Sequence, residues 1–93
     1  MSRIARHLVI HGRVQGVSYR WWSVGEAEAL GLDGWVRNRR DGTVEMVVAG
    51  DEAVVMQMIE RCREGPPAAR VEHVETSETG EDVTAGFEQK PTA

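Results

Sequence analysis

The sequence is short of the side chains that most enzymes use for covalent or metal chemistry. It has a single cysteine, Cys62, so no internal disulfide can form. A lone thiol suits a reducing compartment, from which a cytoplasmic location is expected. The histidines His7, His11 and His73 fall in separate stretches with no zinc-ligand spacing, so neither a metal nor any other cofactor is expected. No apolar run approaches the roughly 20 residues that cross a bilayer, which excludes a membrane span. Met1 to His11 lacks the segments of a signal peptide. No Gly-Lys-Ser or Gly-Lys-Thr triplet closes a P-loop. Aromatics are equally scarce, and on the expected strands only Trp35 and Phe87 could stack RNA bases.

What is present is charge, unevenly spread. The net charge is −4. Up to Arg40 there are seven arginines against Glu26, Glu28 and Asp33, and from Asp41 onward four basic residues against twelve acidic ones. An acidic chain is a poor nucleic-acid ligand, because phosphate neutralisation supplies most of that affinity. A basic first half fits a small anion held locally. With 93 residues the chain is read as one self-contained domain, 1–93, expected to act as a monomer.

Arg3 to His11 alternates as a strand, with Ile4, Leu8 and Ile10 on one side. Arg6 interrupts that side, which places the early part near a sheet edge. Gly12 to Ser18 reads as a loop. Tyr19 to Leu30 reads as a helix with Tyr19, Ser23, Ala27 and Leu30 on one face, closed by Gly31. A second strand, Asp33 to Arg39, and a third, Thr43 to Ala49, flank a turn expected at Asp41-Gly42. Asp51 is the expected N-cap of a helix that runs to about Arg63 and buries Val55, Met58, Ile59 and Cys62. Gly65-Pro66-Pro67 stops it. Ala69 to Thr76 is a fourth strand in which Val71 and Val74, three apart, imply a bulge or an edge. Ser77 to Thr84 reads as a loose loop, Phe87 anchors a short last strand, and Pro91 onward reads as tail.

This order predicts an α+β domain, a ferredoxin-like βαββαβ sandwich with two helices on one face of an antiparallel sheet and a short extra C-terminal strand. In that topology strands one and two run parallel with strand three between them. The loop after strand one and Asn38 at the end of strand two then meet at one sheet edge.

Gly12 to Arg20, Gly-Arg-Val-Gln-Gly-Val-Ser-Tyr-Arg, is the stretch with chemistry in it. Its glycines let the backbone approach a ligand, and it delivers unpaired N–H groups at a helix N-terminus. Arg20 stands in the first turn, where a cation opposes the helix dipole unless an anion lies between them. A thiolate phosphatase would need cysteine six positions before that arginine, and Val14 stands there. Ser18 is the only hydroxyl in the loop and has no histidine near it in sequence. Non-covalent chemistry on a bound anion remains.

The stretches Gly12–Arg20, Gly34-Trp35-Val36-Arg37-Asn38 and Asp41-Gly42-Thr43-Val44-Glu45 closely resemble, in residues and separation, the two signature motifs of acylphosphatases. Tyr19, where phenylalanine is commoner, and Gly25 depart from the pattern. The resemblance implies metal-independent hydrolysis of acyl phosphates to a carboxylate and inorganic phosphate. By position it implies that Arg20 and the N–H groups of Gln15, Gly16, Val17, Ser18, Tyr19 and Arg20 hold the phosphate, a site that inorganic phosphate or sulfate also fits. Asn38 would hold the attacking water. Two other readings stay open: a non-enzymatic ferredoxin-like binding module, and an accessory domain like those fused within larger carbamoyl-transferring proteins. Roles for Trp21, Trp22, Arg37, Arg39 and Arg40 are not assigned by the sequence, beyond one of the tryptophans lying near the mouth of the site.

Overall fold

A computed structural model describes residues 2–93. Its centre is β3 (Val44–Asp51), in which every residue from Val44 to Gly50 is buried. A strand buried on both faces must lie inside a sheet. β3 pairs antiparallel with β1 (Arg3–Arg13) on one side and with β2 (Asp33–Asn38) on the other. β4 (Arg70–Glu78) pairs antiparallel on the outer side of β1, and β5 (Phe87–Gln89) lies outside β2, giving the order β4-β1-β3-β2-β5. The expected ferredoxin-like arrangement is present, with β1 and β2 parallel across β3. The sheet is mixed rather than wholly antiparallel, because β5 runs parallel to β2.

The core lies on one face of the sheet. Leu8, Ile10, Val36, Val44, Met46, Val48 and Val74 meet Tyr19 and Ala27 of α1 (Tyr19–Ala29) and Val55, Met58, Ile59 and Cys62 of α2 (Glu52–Glu64). Helix α1 ends one residue earlier than its apolar pattern suggests. Gly31, at φ 70°, follows the cap residue Leu30, and the N–H groups of Gly31 and Leu32 donate to Glu28 and Ala27 carbonyls at 3.0 and 2.9 Å. That is a Schellman ending. Asp51 does cap α2, but its side chain makes no capping hydrogen bond.

Several boundaries differ from expectation. β2 ends at Asn38 rather than Arg39, and β3 runs from Val44 to Asp51 rather than from Thr43 to Ala49. Four further differences have a local reason. β1 runs two residues further, to Arg13, because Gly12 and Arg13 pair with Val71 and Arg70 past a register shift that leaves Glu72 as the bulged residue. Gly12, at φ 126°, allows this, since a Cβ there would overlap the Arg70 carbonyl oxygen. The β2–β3 turn centres on Arg40 and Asp41, with Gly42 following at φ 94°, because the Gly42 N–H donates to the Arg39 carbonyl at 3.1 Å. β4 takes in Ser77 and Glu78, which pair with His7 and Arg6. Residues from Pro91 are not a free tail: Ala93 N–H donates to the Asn38 carbonyl at 3.0 Å, and Arg40 N–H to the Ala93 carbonyl at 2.9 Å.

The face away from the helices carries charge rather than core. Trp35 lies there, with the cations of Arg37 and Lys90 at 4.8 and 4.6 Å from its ring and its indole N–H donating to Glu81. Glu81 thereby ties down the expected loose loop. His7 Nε2 sits 2.7 Å from one oxygen of Glu45, and Arg37 donates to the other at 2.7 Å. His11 contacts Glu75 at 2.7 Å, so both histidines are engaged by sheet-face carboxylates rather than gathered in a catalytic cluster.

Burial works against the ionised Glu45 carboxylate, but His7 and Arg37 more than offset it, and its pKa falls below the ordinary value of 4.5. The unfolded chain therefore takes up the Glu45 proton more readily than the folded one. Stability from this group is fully present above pH 4.5 and is lost as pH falls through the lowered native value. Urea midpoints measured from neutral pH downwards should decline less steeply on the acid side for Glu45→Gln than for the natural chain. Asp33 and Asp41, also held low by hydrogen bonds, supply the residual slope.

Candidate active site

Because β1 and β2 run parallel, their C-terminal ends open on the same edge of the sheet. Val14 to Ser18 leaves one and leads directly into α1, and Asn38 ends the other. Between them is a cavity of about 130 Å³ lined by Val14, Gly16, Ser18, Tyr19, Arg20, Trp21, Asn38 and Gln89. The structure thus brings Arg20 and Asn38, 18 positions apart in sequence, into one pocket.

The loop backbone has the form that binds anions. Gly16 and Ser18 both have positive φ, 74° and 65°, with Val17 between them, a local alternation that turns successive N–H groups inward. Ser18 is the only non-glycine residue with positive φ among the described residues, and as N-cap of α1 it makes no side-chain capping bond. Such a conformation costs about 1 kcal/mol and marks a site worth attention. The first backbone bond of the helix is Trp22 N–H to the Ser18 carbonyl, at 2.9 Å. Among the described residues, no backbone N–H from Gln15 to Trp21 donates to a backbone carbonyl.

Electrostatics reinforce the vacancy of those donors. α2 starts with Glu52 and ends with Arg61 and Arg63, in accord with its dipole. α1 has no acidic residue in its first turn, and instead carries Arg20 there. That guanidinium is half-buried, and among the described residues it makes no ion pair and no hydrogen bond within the chain. The Asn38 side chain is likewise half-buried and, among the described residues, without a protein hydrogen-bond partner. A larger hollow of about 290 Å³, between the first residues of β1 and Thr79–Val83, differs in kind, since its cation, Arg3, is paired with Asp33 at 3.0 Å.

The pocket lining includes no histidine, cysteine, lysine or carboxylate. Tyr19 is buried, donates its hydroxyl to the Cys62 carbonyl at 2.7 Å, and has its pKa raised by that burial. Cys62 is fully buried on α2, where burial pushes its thiol up to about 12. Neither supplies a nucleophile. Ser18 reaches the pocket, but no base lines it to activate the hydroxyl.

Two loop residues do not line the cavity with their side chains. Val17 packs against the core. The Gln15 amide turns away and donates to the carbonyls of Arg39 and Thr43, at 2.6 and 2.8 Å. It fastens the loop to the hairpin that carries Asn38, a role the sequence did not disclose. Gln89 was also missed as a lining residue, because only the parallel pairing of β5 with β2, opposite Val36, brings it there. Trp21 is at the mouth, as expected of one of the tryptophan pair, and is 74% exposed.

The sequence model of the family described as Acylphosphatase matches residues 6–89. An acylphosphatase of Rhizorhabdus wittichii is 54% identical over 91 residues, covering 98% of this chain and 92% of that protein. One from Rhodopseudomonas palustris is 57% identical over 83 residues, covering 89% of this chain and 84% of the other. The structure of an acylphosphatase from Coxiella burnetii superimposes with a TM-score of 0.90 at 35% identity, over 95% of this chain and 93% of that one.

The Gln15 tether has a measurable consequence. Gln15→Ala removes two hydrogen bonds to carbonyls beneath the loop and should lower unfolding free energy by about 1–3 kcal/mol. Urea denaturation followed by tryptophan fluorescence measures it, and an unchanged midpoint would mean that the contact holds nothing in place.

Proposed function

The chain belongs to the acylphosphatase family, and on that premise we propose that the pocket hydrolyses acyl phosphates through Arg20, the loop N–H groups and Asn38, with no covalent intermediate. The observation that carries this reading is the half-buried, unpaired Arg20 guanidinium beside free backbone donors, facing the same small cavity as Asn38. Such a set suits a phosphoryl group, whose negative charge satisfies the cation, the N–H groups and the helix dipole together.

In the proposed reaction Arg20 and the N–H groups of Gln15 to Arg20 hold the phosphoryl oxygens. Asn38 orients a water, its side-chain carbonyl accepting a hydrogen bond from the one O–H that stays on the attacking oxygen, while its amide group donates to an oxygen nearby. The water oxygen attacks phosphorus as the bond from phosphorus to the acyl oxygen breaks. The carboxylate leaves with that electron pair, and the second water proton ends on a phosphate oxygen. A carboxylate is a good leaving group, so positioning and charge stabilisation suffice where no side-chain base is at hand. Inorganic phosphate, as product, occupies the same cradle.

Benzoyl phosphate hydrolysis by the natural chain, with and without chelator, tests the reading, and chelator is expected to make no difference. Asn38→Ala should lower kcat by about 10²–10³ while leaving inhibition by inorganic phosphate near its natural value. Arg20→Ala should lose both turnover and phosphate inhibition. Retention of full turnover by Asn38→Ala would falsify the water-positioning role, and undiminished phosphate inhibition in Arg20→Ala would remove the arginine from the site.

A further inference from the structure

Beyond the phosphate pocket, a second cavity of about 430 Å³ runs along the exposed side of α1 and shares Trp21 and Gln89 with the first. Trp21, Gly25 and Glu28, at spacings of four and three, lie along one face of the helix, with Trp22 beside them. Trp22 is half-buried and braced against the Tyr19 ring at 5.3 Å, whereas Trp21 leaves most of its surface in water. The two indoles thus give the second cavity an apolar wall that is continuous, through Trp21, with the rim of the polar pocket.

Gly25 gives the second observation. Glycine is among the least favourable residues inside a helix, and here nothing in the fold requires it. Its φ is not positive, and a Cβ built on it would meet no atom within 4 Å. The absent side chain instead leaves the floor of the cavity open between the tryptophans and Glu28. The far end is acidic. Glu28 has no ion-pair partner among the described residues, while Glu26 is bridged to Arg61 at 3.4 Å.

We propose that this cavity is the acyl subsite, a shelf on which a flat aromatic or extended apolar acyl group lies against Trp21 and over Gly25, and at which Glu28 disfavours acyl groups with a negatively charged end. The inference rests on the assignment of the adjoining pocket to the phosphoryl group. From Trp21 to Glu28 is about 10 Å of helix rise, the length of a substituted benzoyl group. Among acyl phosphates, those with a neutral or cationic acyl part are therefore favoured.

The test compares benzoyl phosphate with acetyl phosphate, whose methyl group is too short to reach Gly25. Gly25→Leu fills the shelf from a position with open space, at a site where leucine favours the helix, so its Tm should not fall. The benzoyl-to-acetyl ratio of kcat/KM should drop about tenfold in Gly25→Leu, with inhibition by inorganic phosphate as in the natural chain. A second arm compares 4-(aminomethyl)benzoyl with 4-carboxybenzoyl phosphate at low salt. Their ratio should favour the cationic substrate and shrink about fivefold in Glu28→Gln. An unchanged benzoyl-to-acetyl ratio in Gly25→Leu, an equal loss on both substrates, or a charge ratio indifferent to Glu28→Gln would overturn the subsite while leaving the phosphate pocket standing. A natural chain inert toward both benzoyl and acetyl phosphate would overturn the pocket assignment and this one with it.

Discussion

A guanidinium at the N-terminus of a helix sits against the field of that helix, and the surrounding structure is organised around that unfavourable placement. Arg20 lies where α1 presents its unpaired N–H groups, with no acidic residue in the first turn and no side-chain cap from Ser18. The other interactions around the site hold this concentration of positive potential in place without neutralising it. Tyr19 anchors the start of the helix in the core through its hydroxyl, Ser23 Oγ donates to the Tyr19 carbonyl at 2.7 Å, and the Gln15 amide ties the loop to the neighbouring hairpin. Elsewhere in the basic half of the chain, Arg3 and Arg37 are absorbed by Asp33 and Glu45. Arg6, Arg13, Arg39 and Arg40 also lie outside the ion pairs among the described residues, but of these unpaired arginines it is Arg20 that lines the pocket.

The topology does the remaining work. In the proposed reaction the loop holds the phosphoryl group by itself, but the water-orienting amide must come from elsewhere at a fixed distance. Insertion of β3 between β1 and β2 makes the outer two parallel and aligns their C-terminal ends. Asn38 is then fixed from two directions, by its register opposite Val44 and by the Ala93 N–H on its carbonyl, while its side chain stays free. Rigid backbone on both sides of an unencumbered amide is what positional catalysis requires.

The parts of this arrangement that were legible in the sequence are those set by local pattern. Apolar spacing placed both helices and the buried set Val55, Met58, Ile59 and Cys62, and the three-residue gap between Val71 and Val74 marked the bulge at Glu72. Glycine spacing and the position of Arg20 marked the loop. The missing pieces depend on contacts between distant segments. Gln15 reads as any polar loop residue until the hairpin carbonyls of Arg39 and Thr43 stand above it. Gln89 reads as surface until β5 pairs parallel with β2, and Ser77–Thr84 reads as loose until Glu81 finds the indole of Trp35. The turn misplacement is instead local in origin: the Asp41 side chain accepts from the Thr43 N–H and hydroxyl, at 3.0 and 2.6 Å, and the tight turn closes one residue earlier, at Arg40 and Asp41.

Gly25 shows how a local rule, broken without visible compensation, carries information. A glycine that opens a turn or admits a neighbouring strand is explained by the fold, as Gly12 is by the approach of β4. A glycine in mid-helix, with ordinary φ and empty space above it, weakens the helix and returns nothing to the fold. The exposed indole of Trp21, one turn earlier, likewise adds little burial to the fold. Together they outline a surface that begins where the phosphate pocket ends. On that reading the phosphoryl group is recognised by backbone and Arg20, which any acyl phosphate satisfies, and discrimination among acyl groups falls to the helix face beyond.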